Sequence, residues 1–538
     1  MLMTGSQIVL EVLAEEKVDT VFGYPGGTIL NVYDALYDNQ LGIRHFITAH
    51  EQGAAHAADG YARATGKTGV VFATSGPGST NLVTGIATAY MDSIPMVAIT
   101  ANVPNAQIGS DSFQEVYITG ITMPITKHNF VVRRVEDLAD TIRQAFSIAN
   151  SGRPGPVLVD IPKDVTAASC EFLPAPAPAA PERPAEIDPA VIAEVAALIN
   201  AAERPVIHFG GGVIGSGASP LVYELAHRAS IPACHTIMGT GVLSYNDPLN
   251  MGMVGMHGNI SAGLAINGAD LLLVIGARFS DRVATKPSDF ARRARIVQID
   301  IDRSEINKNI HIDYSIVGDV GRVLEAVLPL IERKEPPAWQ AQIDAWRTDD
   351  VVPPASALDG KLHPYDIIHA VAELAGEDAI IVTDVGQHQM LTAEFFNFNK
   401  PRKFITSGGL GTMGFGLPAA IGAYLAKPEN LVLNITGDGS FQMNLQELAT
   451  CREHHIPVKI IIMNNSYLGM VRQMQEKFYN NCYQVEMTNP DFTKIAEAYD
   501  LFAVRVRTKE ELIPALEKAI RHQGTAIVDI VIDSFENI

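Results

Sequence analysis

Two polar segments in the last third of the chain follow apolar runs and carry residue types that could bind a metal ion. The motif GDG, with Asp438 at its centre, ends the run LVLNIT, and a pair of asparagines that includes Asn465 ends the run VKIIIM. Parallel strands of a right-handed βαβ unit end at the same sheet edge, so we expect Asp438 and Asn465 to lie close together. A carboxylate and an amide oxygen are hard ligands that suit Mg²⁺ completed by phosphate oxygens and water. Two ordinary turns are the alternative interpretation.

A second candidate is Glu51, in the segment HFITAHEQGAAHAADGYARATG, directly after another apolar run. The spacing of Thr48 and Glu51 matches a capping box, so one interpretation is a residue that caps a helix N-terminus. The other is a desolvated carboxylate that transfers protons in catalysis, and the two roles are compatible. A further fragment, TSGPGSTN from Thr74 to Asn81, predicts a sharp glycine–proline turn after a strand.

In the middle of the chain, Gly210, Gly212 and Gly215 form a GxGxxG pattern after the run PVIHF. This pattern can bind a dinucleotide, but the acidic residue expected about twenty positions later is missing, so we do not expect an NAD site. The segments GARFSDRV and QIDID offer guanidinium groups and carboxylates at further strand ends. Those groups could hold the pyrophosphate and ribose of another nucleotide.

The elements that must position these residues are short apolar runs, which alternate with longer amphipathic stretches. The runs are VDTVFGY, HFITA, GVVFATS, PMVAIT, PVLVDIP, PVIHFGG, DLLLVIGA, RIVQIDID, AIIVTDVG, LVLNITGDG, VKIIIMNN and AIVDIVI. Strands that are apolar on both faces belong to parallel sheets covered by helices. The predicted fold class is therefore α/β, with three doubly wound parallel-sheet domains whose ligands bind beyond the carboxyl ends of the strands.

Two proline-containing stretches divide the sequence into segments of ordinary domain size. We expect a first domain at residues 1–170, a Pro/Ala-rich linker at 171–189, a central domain at 190–331, a second linker at 332–364 and a third domain at 365–538. Within the second linker, Trp339 and Trp346 could anchor a helix.

The composition excludes several classes of protein. The 538 residues are 47% hydrophobic and carry a formal net charge of −20, which favours a large globular enzyme and argues against binding of nucleic acid. The four cysteines show no CxxC spacing, so we expect neither disulfides nor zinc, and a cytoplasmic location. The N-terminus predicts an amphipathic helix with Ile8 and Val12 on its apolar face, not a signal peptide. The uncharged stretch 407–426 predicts a glycine-rich loop leading into a buried helix, not a membrane span.

Motifs along nearly the whole chain resemble those of the FAD-containing biosynthetic acetohydroxyacid synthases (acetolactate synthases). Besides GDG with NN, which resembles the thiamine-diphosphate fingerprint, they are FGYPGG, HEQGAAHAADGYARATG, TSGPGSTN, AYMDSIPM, FQE, ITKHNF, RPGPVLVDIPKDV, GMHG, GARFSDR, VGQHQM, SGGLGTMGFG and GMVRQ. The resemblance implies pyrimidine-binding, central FAD-binding and diphosphate-binding domains, with thiamine diphosphate, Mg²⁺ and FAD as cofactors. It also implies a homodimer or homotetramer, because the family's active site forms between the first domain of one subunit and the third of another. A small regulatory subunit could bind as well.

The resemblance also implies roles for individual residues. Glu51 would activate the cofactor through its aminopyrimidine, and Gln114 and Lys163 would take part in catalysis. The implied metal ligands are Asp438, Asn465 and, through its backbone carbonyl, Tyr467. The positions implied to line thiamine diphosphate are Tyr24, Gly27, Glu51, Pro77, Val385, Gly386, Gln387, His388, Gly411, Met413, Gly437, Gly439 and Ser440. The positions implied to contact FAD are Arg153, Gly210, Gly211, Thr236, Gly255, Met256, His257, Gly276, Arg278, Asp300 and Asp319. The positions implied to contact substrate are Phe113, Gln114, Lys163, Arg282 and Met474.

The implied activity is that of an acetolactate synthase in branched-chain amino acid biosynthesis, the route to isoleucine and valine. Pyruvate is decarboxylated on thiamine diphosphate, and the hydroxyethyl carbanion is ligated to a second 2-ketoacid. Pyruvate as acceptor gives 2-acetolactate, and 2-ketobutyrate gives 2-aceto-2-hydroxybutyrate. A pocket poor in acids favours ligation, because a general acid would protonate the carbanion. We expect His454 and His455 on the surface of the crossover helix, away from strand ends.

Two residues depart from the family pattern. Met474 stands where the family usually has tryptophan, and its flexible side chain predicts a looser wall with reduced selectivity for 2-ketobutyrate over pyruvate. Ser280 replaces an aspartate, which removes one FAD contact.

Two alternatives to a synthase stay open. A pyruvate-oxidase-type flavoenzyme, or another thiamine-diphosphate carboligase or decarboxylase, shares the cofactors and the three-domain plan. The segments GARFSDRV, FQE and GMVRQ favour the synthase over these enzymes. A degenerate paralogue that serves as a regulatory scaffold is the non-enzymatic alternative, and the presence of both Glu51 and Asp438 argues against it.

Overall fold

The computed structural model of the protein describes residues 1–175, 187–335, 338–348, 350 and 362–534. The chain divides into two compact units. The first unit comprises Met1–Ala180, Ala379–Gln389 and Ile405–Ile538, and the second comprises Pro181–Asp378 and Met390–Phe404. None of the described helices is long and apolar enough to cross a membrane.

The N-terminal part of the first unit forms a six-stranded parallel sheet with the strand order β3-β2-β4-β5-β7-β6, while β1 pairs antiparallel with β8. The strands are β1 Leu2–Thr4, β2 Thr20–Gly23, β3 Arg44–Ile47, β4 Gly69–Ala73, β5 Met96–Asn102, β6 His128–Val131, β7 Pro156–Pro162 and β8 Ser169–Glu171. The helices are α1 Gly5–Glu15, α2 Leu30–Tyr37, α3 Glu51–Thr65, α4 Pro77–Asn81, α5 Val83–Met91, α6 Ile118–Thr122, α7 Leu138–Asn150 and α8 Lys163–Ala167.

The second unit contains another six-stranded parallel sheet, with the strand order β11-β10-β9-β12-β13-β14. Its strands are β9 Pro205–Phe209, β10 Ala233–His235, β11 Asn250–Met253, β12 Leu271–Ile275, β13 Arg295–Asp300 and β14 Tyr314–Val317. Its helices are α9 Pro189–Ala201, α10 Gly211–Gly215, α11 Ser219–Ala229, α12 Ile260–Gly268, α13 Val320–Val327, α14 Gln340–Arg347 and α15 Pro364–Ala375.

The C-terminal part of the first unit forms a third six-stranded sheet, with the strand order β16-β15-β17-β18-β20-β19. Its strands are β15 Ile380–Thr383, β16 Phe404–Ile405, β17 Val432–Gly437, β18 Lys459–Asn464, β19 Phe502–Val506 and β20 Ala526–Val531. The helices are α16 Gln387–Phe395, which ends in the second unit, α17 Gly416–Ala426, α18 Asp438–Met443, α19 Leu448–Glu453, α20 Gly469–Tyr479, α21 Phe492–Ala498 and α22 Lys509–Arg521.

The three sheets confirm the predicted fold class, and each of the twelve apolar runs overlaps a strand. The strand Leu271–Ile275 illustrates the reason, because none of its residues is more than 1% exposed and both faces are covered. The predicted first helix is α1, with Ile8 and Val12 at most 1% exposed. The uncharged stretch forms a loop that leads into the buried helix α17, as predicted.

The predicted helix in the second linker is α14. Trp339, directly before it, is 5% exposed and meets Trp346 edge to face, with ring centroids 6.2 Å apart. Both rings lie against Gly268 at the end of α12, so α14 packs on that helix. Most of the predicted first linker, residues 176–186, lies outside the described residues.

Within the first unit, α3 and α17 cross in backbone contact. A Cβ at Gly60 would overlap the carbonyl group of Ala419, and a Cβ at Gly422 would overlap that of Ala57. Glycine is therefore required at both positions, since any side chain would push the helices apart. The contact joins the helix that follows β3 to the helix that follows the uncharged loop.

A buried ionic network extends this contact to the loop before α17. Arg63 of α3 pairs with Asp59 and with Asp92 and donates a hydrogen bond of 2.8 Å to the carbonyl of Thr406. Asp92 also accepts the backbone N–H groups of residues 408–409 at 3.1 and 2.7 Å. The glycine-rich loop is thereby fixed to α3 by charged hydrogen bonds that solvent hardly reaches.

Replacing Gly422 by alanine should strain the α3–α17 contact, because the added methyl group has no space beside Ala57. We expect G422A to lower the free energy of unfolding by about 1–3 kcal/mol, measured by chemical denaturation followed by circular dichroism. The control is G263A in α12, where a Cβ would meet nothing within 4 Å. This control should be neutral or slightly stabilising. Equal stabilities of the two variants would contradict the tight crossing.

Candidate active site

The turn after β17 holds a buried carboxylate. Asp438 begins α18 and is 2% exposed. It accepts the backbone N–H groups of Gly439 at 3.0 Å and Ser466 at 2.7 Å, and the side-chain amide of Asn489 at 2.6 Å. Burial raises the pKa of Asp438 to about 6, although these donors oppose the shift. A neighbouring cation would offset this cost of burial.

The turn after β18 brings the other predicted metal ligands to the same sheet edge. The side-chain oxygen of Asn465 accepts the backbone N–H of Tyr467 at 3.0 Å, and an antiparallel bridge to Glu486 fixes the peptide at Tyr467. A Cβ at Gly469 would lie 2.9 Å from the Asn465 amide nitrogen, so the start of α20 packs closely against this turn. One carboxylate, one amide oxygen and one backbone carbonyl suit a Mg²⁺ ion that also binds phosphate. No group of three or more His, Cys, Asp or Glu able to hold a metal occurs among the described residues.

Two residues of this region were not predicted. Asn489 holds Asp438 in place and also donates to Asn464 at 2.9 Å, yet a single asparagine in a loop carries no sequence signal. Asp384, after β15, is 1% exposed and accepts the backbone N–H of Gly416 at 2.9 Å and the hydroxyl of Thr436 at 2.7 Å. The signal for Asp384 was available, because it is an acid at the end of an apolar run.

Asp384 fixes the start of α17 and so the loop that precedes it. That loop contains Gly411, whose φ of +71° favours glycine, and the half-buried Met413. Both were predicted to line the cofactor, and both belong to the segment that Asp92 holds against α3.

A neutral histidine lies beneath the glycines at the strand ends. His388 is 6% exposed, and burial lowers its pKa to about 3. A Cβ at Gly386 would come within 3.0 Å of the His388 ring, and a Cβ at Gly437 within 3.1 Å. A larger residue at either position would therefore crowd the ring. Nearby, the Ser440 hydroxyl donates to the carbonyl of Val385 at 3.1 Å. The structure thus brings these five predicted cofactor positions together around Asp438.

Gln387 is the first residue of α16. Its side-chain amide donates a hydrogen bond of 3.2 Å to the side-chain oxygen of Gln473 on α20. A Cβ at Gly469 would overlap the Gln387 amide, so Gln387 adjoins the turn that carries Asn465 and Tyr467.

Glu51 begins α3 and is 8% exposed. One oxygen of its carboxylate accepts the side-chain amide of Asn81 at 2.9 Å, and a Cβ at Gly78 would lie 3.1 Å from the other oxygen. Asn81 ends the TSGPGSTN fragment, for which the sequence indicated only a turn. The turn therefore supplies the donor that orients the predicted catalytic carboxylate.

The capping-box prediction for Thr48 is wrong. The N-cap is His50, whose Nδ1 accepts the backbone N–H of Gln52 at 3.0 Å, while the Thr48 hydroxyl donates to the carbonyl of His50 at 3.0 Å. Spacing alone could not identify the cap, because histidine can accept the same hydrogen bond.

The prediction that His454 lies away from strand ends is also wrong. Its ring is half-buried and meets Phe46 edge to face at 5.1 Å, with Nε2 at 3.1 Å from the carbonyl oxygen of Ile47 at the end of β3. His455 is exposed, as predicted.

Hydroxyl groups join the loop after β2 to the TSGPGSTN turn, the turn whose Asn81 donates to Glu51. The hydroxyl groups of Thr28 and Thr74 share a hydrogen bond of 2.8 Å. The Thr28 hydroxyl also accepts the backbone N–H of Ser75 at 3.0 Å. The neighbouring predicted position Gly27 is open, since a Cβ there would meet nothing within 4 Å. Tyr24 is 40% exposed on the same loop, and Pro77 begins α4.

The predicted substrate residues of the first unit lie on three different loops or helices. Gln114 has a φ of +60°. It lies against Gly76 of the TSGPGSTN turn, where an added Cβ would come within 2.8–2.9 Å of the Gln114 atoms. Lys163 begins α8 after β7. Phe113 is 87% exposed, and Met474 is 36% exposed on α20.

In the second unit, the glycines of the GxGxxG pattern bring two strand ends into contact. A Cβ at Gly210 or Gly212 would lie 2.7–2.9 Å from the backbone of Gly276, whose φ is +55°. Gly211 begins α10, and the neighbouring Thr236 donates its N–H to the carbonyl of Phe209 at 3.0 Å. Such bare backbone at strand ends fits a nucleotide phosphate.

A second loop in this unit carries Gly255, Met256 and Arg282. Gly255 has a φ of +134°, and Met256 donates its N–H to the carbonyl of Arg282 at 2.9 Å. Arg282 Nη1 lies 3.7 Å from the sulfur of Met256, and its side chain is 63% exposed. This contact joins one predicted substrate residue to two predicted FAD positions.

The remaining predicted FAD positions are spread over the strand ends. Asp300 ends β13 and accepts the N–H of Asp302 at 2.9 Å, while Asp319 caps α13 by accepting the N–H of Arg322 at 3.1 Å. His257 follows β11, and Arg278 follows β12. Arg153 lies in the first unit, where it donates to Ser93 at 2.8 Å.

Comparison with known proteins gives matches along nearly the whole chain. Family models described as "Thiamine pyrophosphate enzyme" match residues 3–121 (N-terminal TPP binding domain), 192–327 (central domain) and 384–530 (C-terminal TPP binding domain). The chain is 46% identical to the acetolactate synthase large subunit of Parasynechococcus marenigrum, over 99% of this chain and 88% of that protein. It is 47% identical to the probable acetolactate synthase large subunit of Methanocaldococcus jannaschii (99% and 93%). It is 45% identical to the acetolactate synthase isozyme 1 large subunit of Escherichia coli (99% and 95%).

Removing the amide that orients Asp438 should weaken metal binding. We expect N489A to lower the affinity for Mg²⁺ about 10–100-fold, as loss of a residue that orients a metal ligand commonly does. The measurement is isothermal titration of Mg²⁺ in the presence of thiamine diphosphate. The exposed Asn481, in the segment after α20, gives the control N481A, which should bind Mg²⁺ normally. Normal affinity in N489A would show that Asp438 is not a ligand or does not need this amide.

Proposed function

The chain belongs to the family of thiamine-pyrophosphate-dependent acetolactate synthase large subunits, and from that membership we propose how its residues carry out the reaction. It is a thiamine-diphosphate-dependent carboligase, which joins the two-carbon fragment of one 2-ketoacid to a second 2-ketoacid. We assign pyruvate as donor and pyruvate or 2-ketobutyrate as acceptor, in branched-chain amino acid biosynthesis.

The observation that carries the proposal is that two buried carboxylates each follow the end of a strand, Glu51 after β3 and Asp438 after β17. Glu51 is held by one side-chain amide, which leaves it able to exchange a proton. Asp438 is held by three donors that fix its direction, as a metal ligand requires. One carboxylate is thus suited to proton transfer and the other to charge neutralisation.

Thiamine diphosphate, when bound, supplies the carbanion chemistry that decarboxylates the donor and joins it to the acceptor. Asp438, Asn465 and the carbonyl of Tyr467 would hold the Mg²⁺ that neutralises the diphosphate. Glu51 would hydrogen-bond the aminopyrimidine ring and move the proton that activates it. Met413 would support the cofactor with its apolar side chain. His388 is neutral, so it would place no charge beside Gly386 and Gly437, which would adjoin the diphosphate.

FAD would bind the glycine-lined strand ends of the second unit, with Gly210 and Gly276 giving its pyrophosphate access to the backbone. The reaction consumes two 2-ketoacids and releases one CO₂, so it transfers no net electrons. A flavin would therefore take no redox part in it, which separates the synthase from a pyruvate-oxidising flavoenzyme. Arg282 on the neighbouring loop would pair with the carboxylate of the acceptor.

We place the enzyme in the cytoplasm, as a homodimer or homotetramer that binds a small regulatory subunit. The relatives are named large subunits, and Cys170, Cys234, Cys451 and Cys482 are all free thiols. Large exposed apolar side chains offer area for a protein interface; they include Tyr37, Phe113, Tyr117, Phe478 and Tyr479.

Purified protein with Mg²⁺, thiamine diphosphate and pyruvate should form acetolactate and CO₂ in equal amounts without consuming oxygen. Replacing Glu51 by glutamine should lower the rate about 100-fold or more, because the carboxylate no longer transfers a proton. The exposed Glu136 gives the control E136Q, which should be fully active. Hydrogen peroxide or acetyl phosphate in place of acetolactate would contradict the synthase.

Met474 should set the choice of acceptor. We expect the protein to discriminate weakly between 2-ketobutyrate and pyruvate, because a flexible methionine forms a poorly defined wall. M474W should raise the preference for 2-ketobutyrate about tenfold, within the range that one methylene group contributes in an apolar pocket. The ratio of the two products in competition measures this preference. M474L, which keeps the volume, should behave as the unaltered protein. A strong 2-ketobutyrate preference in the unaltered chain would refute the argument.

A further inference from the structure

A buried acid other than Glu51, Glu447, binds the backbone just before α3. Glu447, at the end of the 3₁₀ turn Leu445–Glu447, is 0% exposed. Its two carboxylate oxygens accept the backbone N–H groups of Ala49 and His50, each at 3.1 Å. These two residues directly precede Glu51 in the chain.

We propose that Glu447 is a positioning residue for Glu51, which fixes the backbone turn that delivers the Glu51 carboxylate to the cofactor. The inference rests on the proposed role of Glu51. It explains why a carboxylate is buried where the reaction needs no second acid.

The geometry leaves Glu447 little freedom. A Cβ at Gly53 would overlap its Oε1, so the first turn of α3 sits directly on the carboxylate. The Thr450 hydroxyl donates to Oε2 at 2.6 Å and holds the opposite side. A shorter aspartate could not reach both N–H groups from the same backbone, and a glutamine would present an N–H₂ group to one of them.

Burial raises the pKa of Glu447 to about 7, against the effect of the Thr450, Ala49 and His50 donors. A group that is so costly to bury is retained only with its donors in place, which ties the turn at Ala49 and His50 to the segment that begins with Asp438. Glu51 is therefore fixed twice: Asn81 orients its carboxylate and Glu447 its backbone.

The inference can be tested without turnover. In protein free of cofactor, hydrogen exchange of the Ala49 and His50 amides should be accelerated at least about tenfold in E447A, since each amide loses its acceptor. E447Q should accelerate one of them. The exposed Glu453, on the same segment, gives the control E453Q, which should leave both amides unchanged.

With Mg²⁺ and thiamine diphosphate bound, the second readout is the rate at which the C2 proton of the cofactor exchanges with solvent deuterium. E447A and E447Q should slow it by up to about 100-fold, the cost of displacing a catalytic group by about 1 Å, with cofactor affinity within about threefold of normal. If E447A does not fold, the isosteric E447Q carries the test.

The outcomes separate the two proposals. Normal C2 exchange in both Glu447 variants, with E51Q inactive in the same assay, would overturn the positioning role alone. C2 exchange that persists in E51Q would overturn the proposed role of Glu51. Slow exchange with an equal loss of cofactor affinity would assign Glu447 to cofactor binding and would also overturn the inference.

Discussion

The backbone contact between α3 and α17 is the constraint on which the candidate site depends. Helix α3 begins with Glu51, and α17 follows the loop that contains Met413. Because Gly60 and Gly422 bring the two backbones into contact, neither helix can shift along or away from the other without losing close packing. The Arg63 network then fixes the loop itself, so two elements that are distant in sequence act as one rigid support.

Buried acids complete that support, and backbone N–H groups rather than basic side chains neutralise them. Asp384 holds the start of α17, Glu447 holds the start of α3, and Asp438 holds the turn after β18. In each case burial raises the pKa and the N–H groups oppose the rise. Each acid is stabilised only while its turn keeps its shape, because a moved turn would leave a buried carboxylate without its N–H donors. The acids therefore hold the loops at the strand ends rigid.

Most of the central strands could be predicted from the sequence because their residues are apolar on both faces, but the buried strand β10, only three residues long, was not among the predicted runs. Edge strands such as β6 and β19 were missed because their side chains are half-exposed and their apolar pattern is broken. The approach of Asp438 to the turn that carries Asn465 was predictable because GDG and NN each follow a strand. Asn81 and Asn489 were not recognised, because their roles depend on loops that only the tertiary structure brings beside Glu51 and Asp438.

Helix α20 carries one proposed substrate residue and also packs against the turn that holds the proposed metal ligands. Its first residue, Gly469, lies against Asn465, so the helix begins beside the proposed metal ligands. Arg472 is 0% exposed, stacks over the Tyr467 ring at 5.8 Å and donates to the carbonyl of Ser534 at 2.7 Å. Met474 lies on the same helix but is 36% exposed, and its side chain is not part of these contacts. Because the buried face of the helix fixes the metal turn, residue 474 can vary in shape while Asp438 and its partners stay in place.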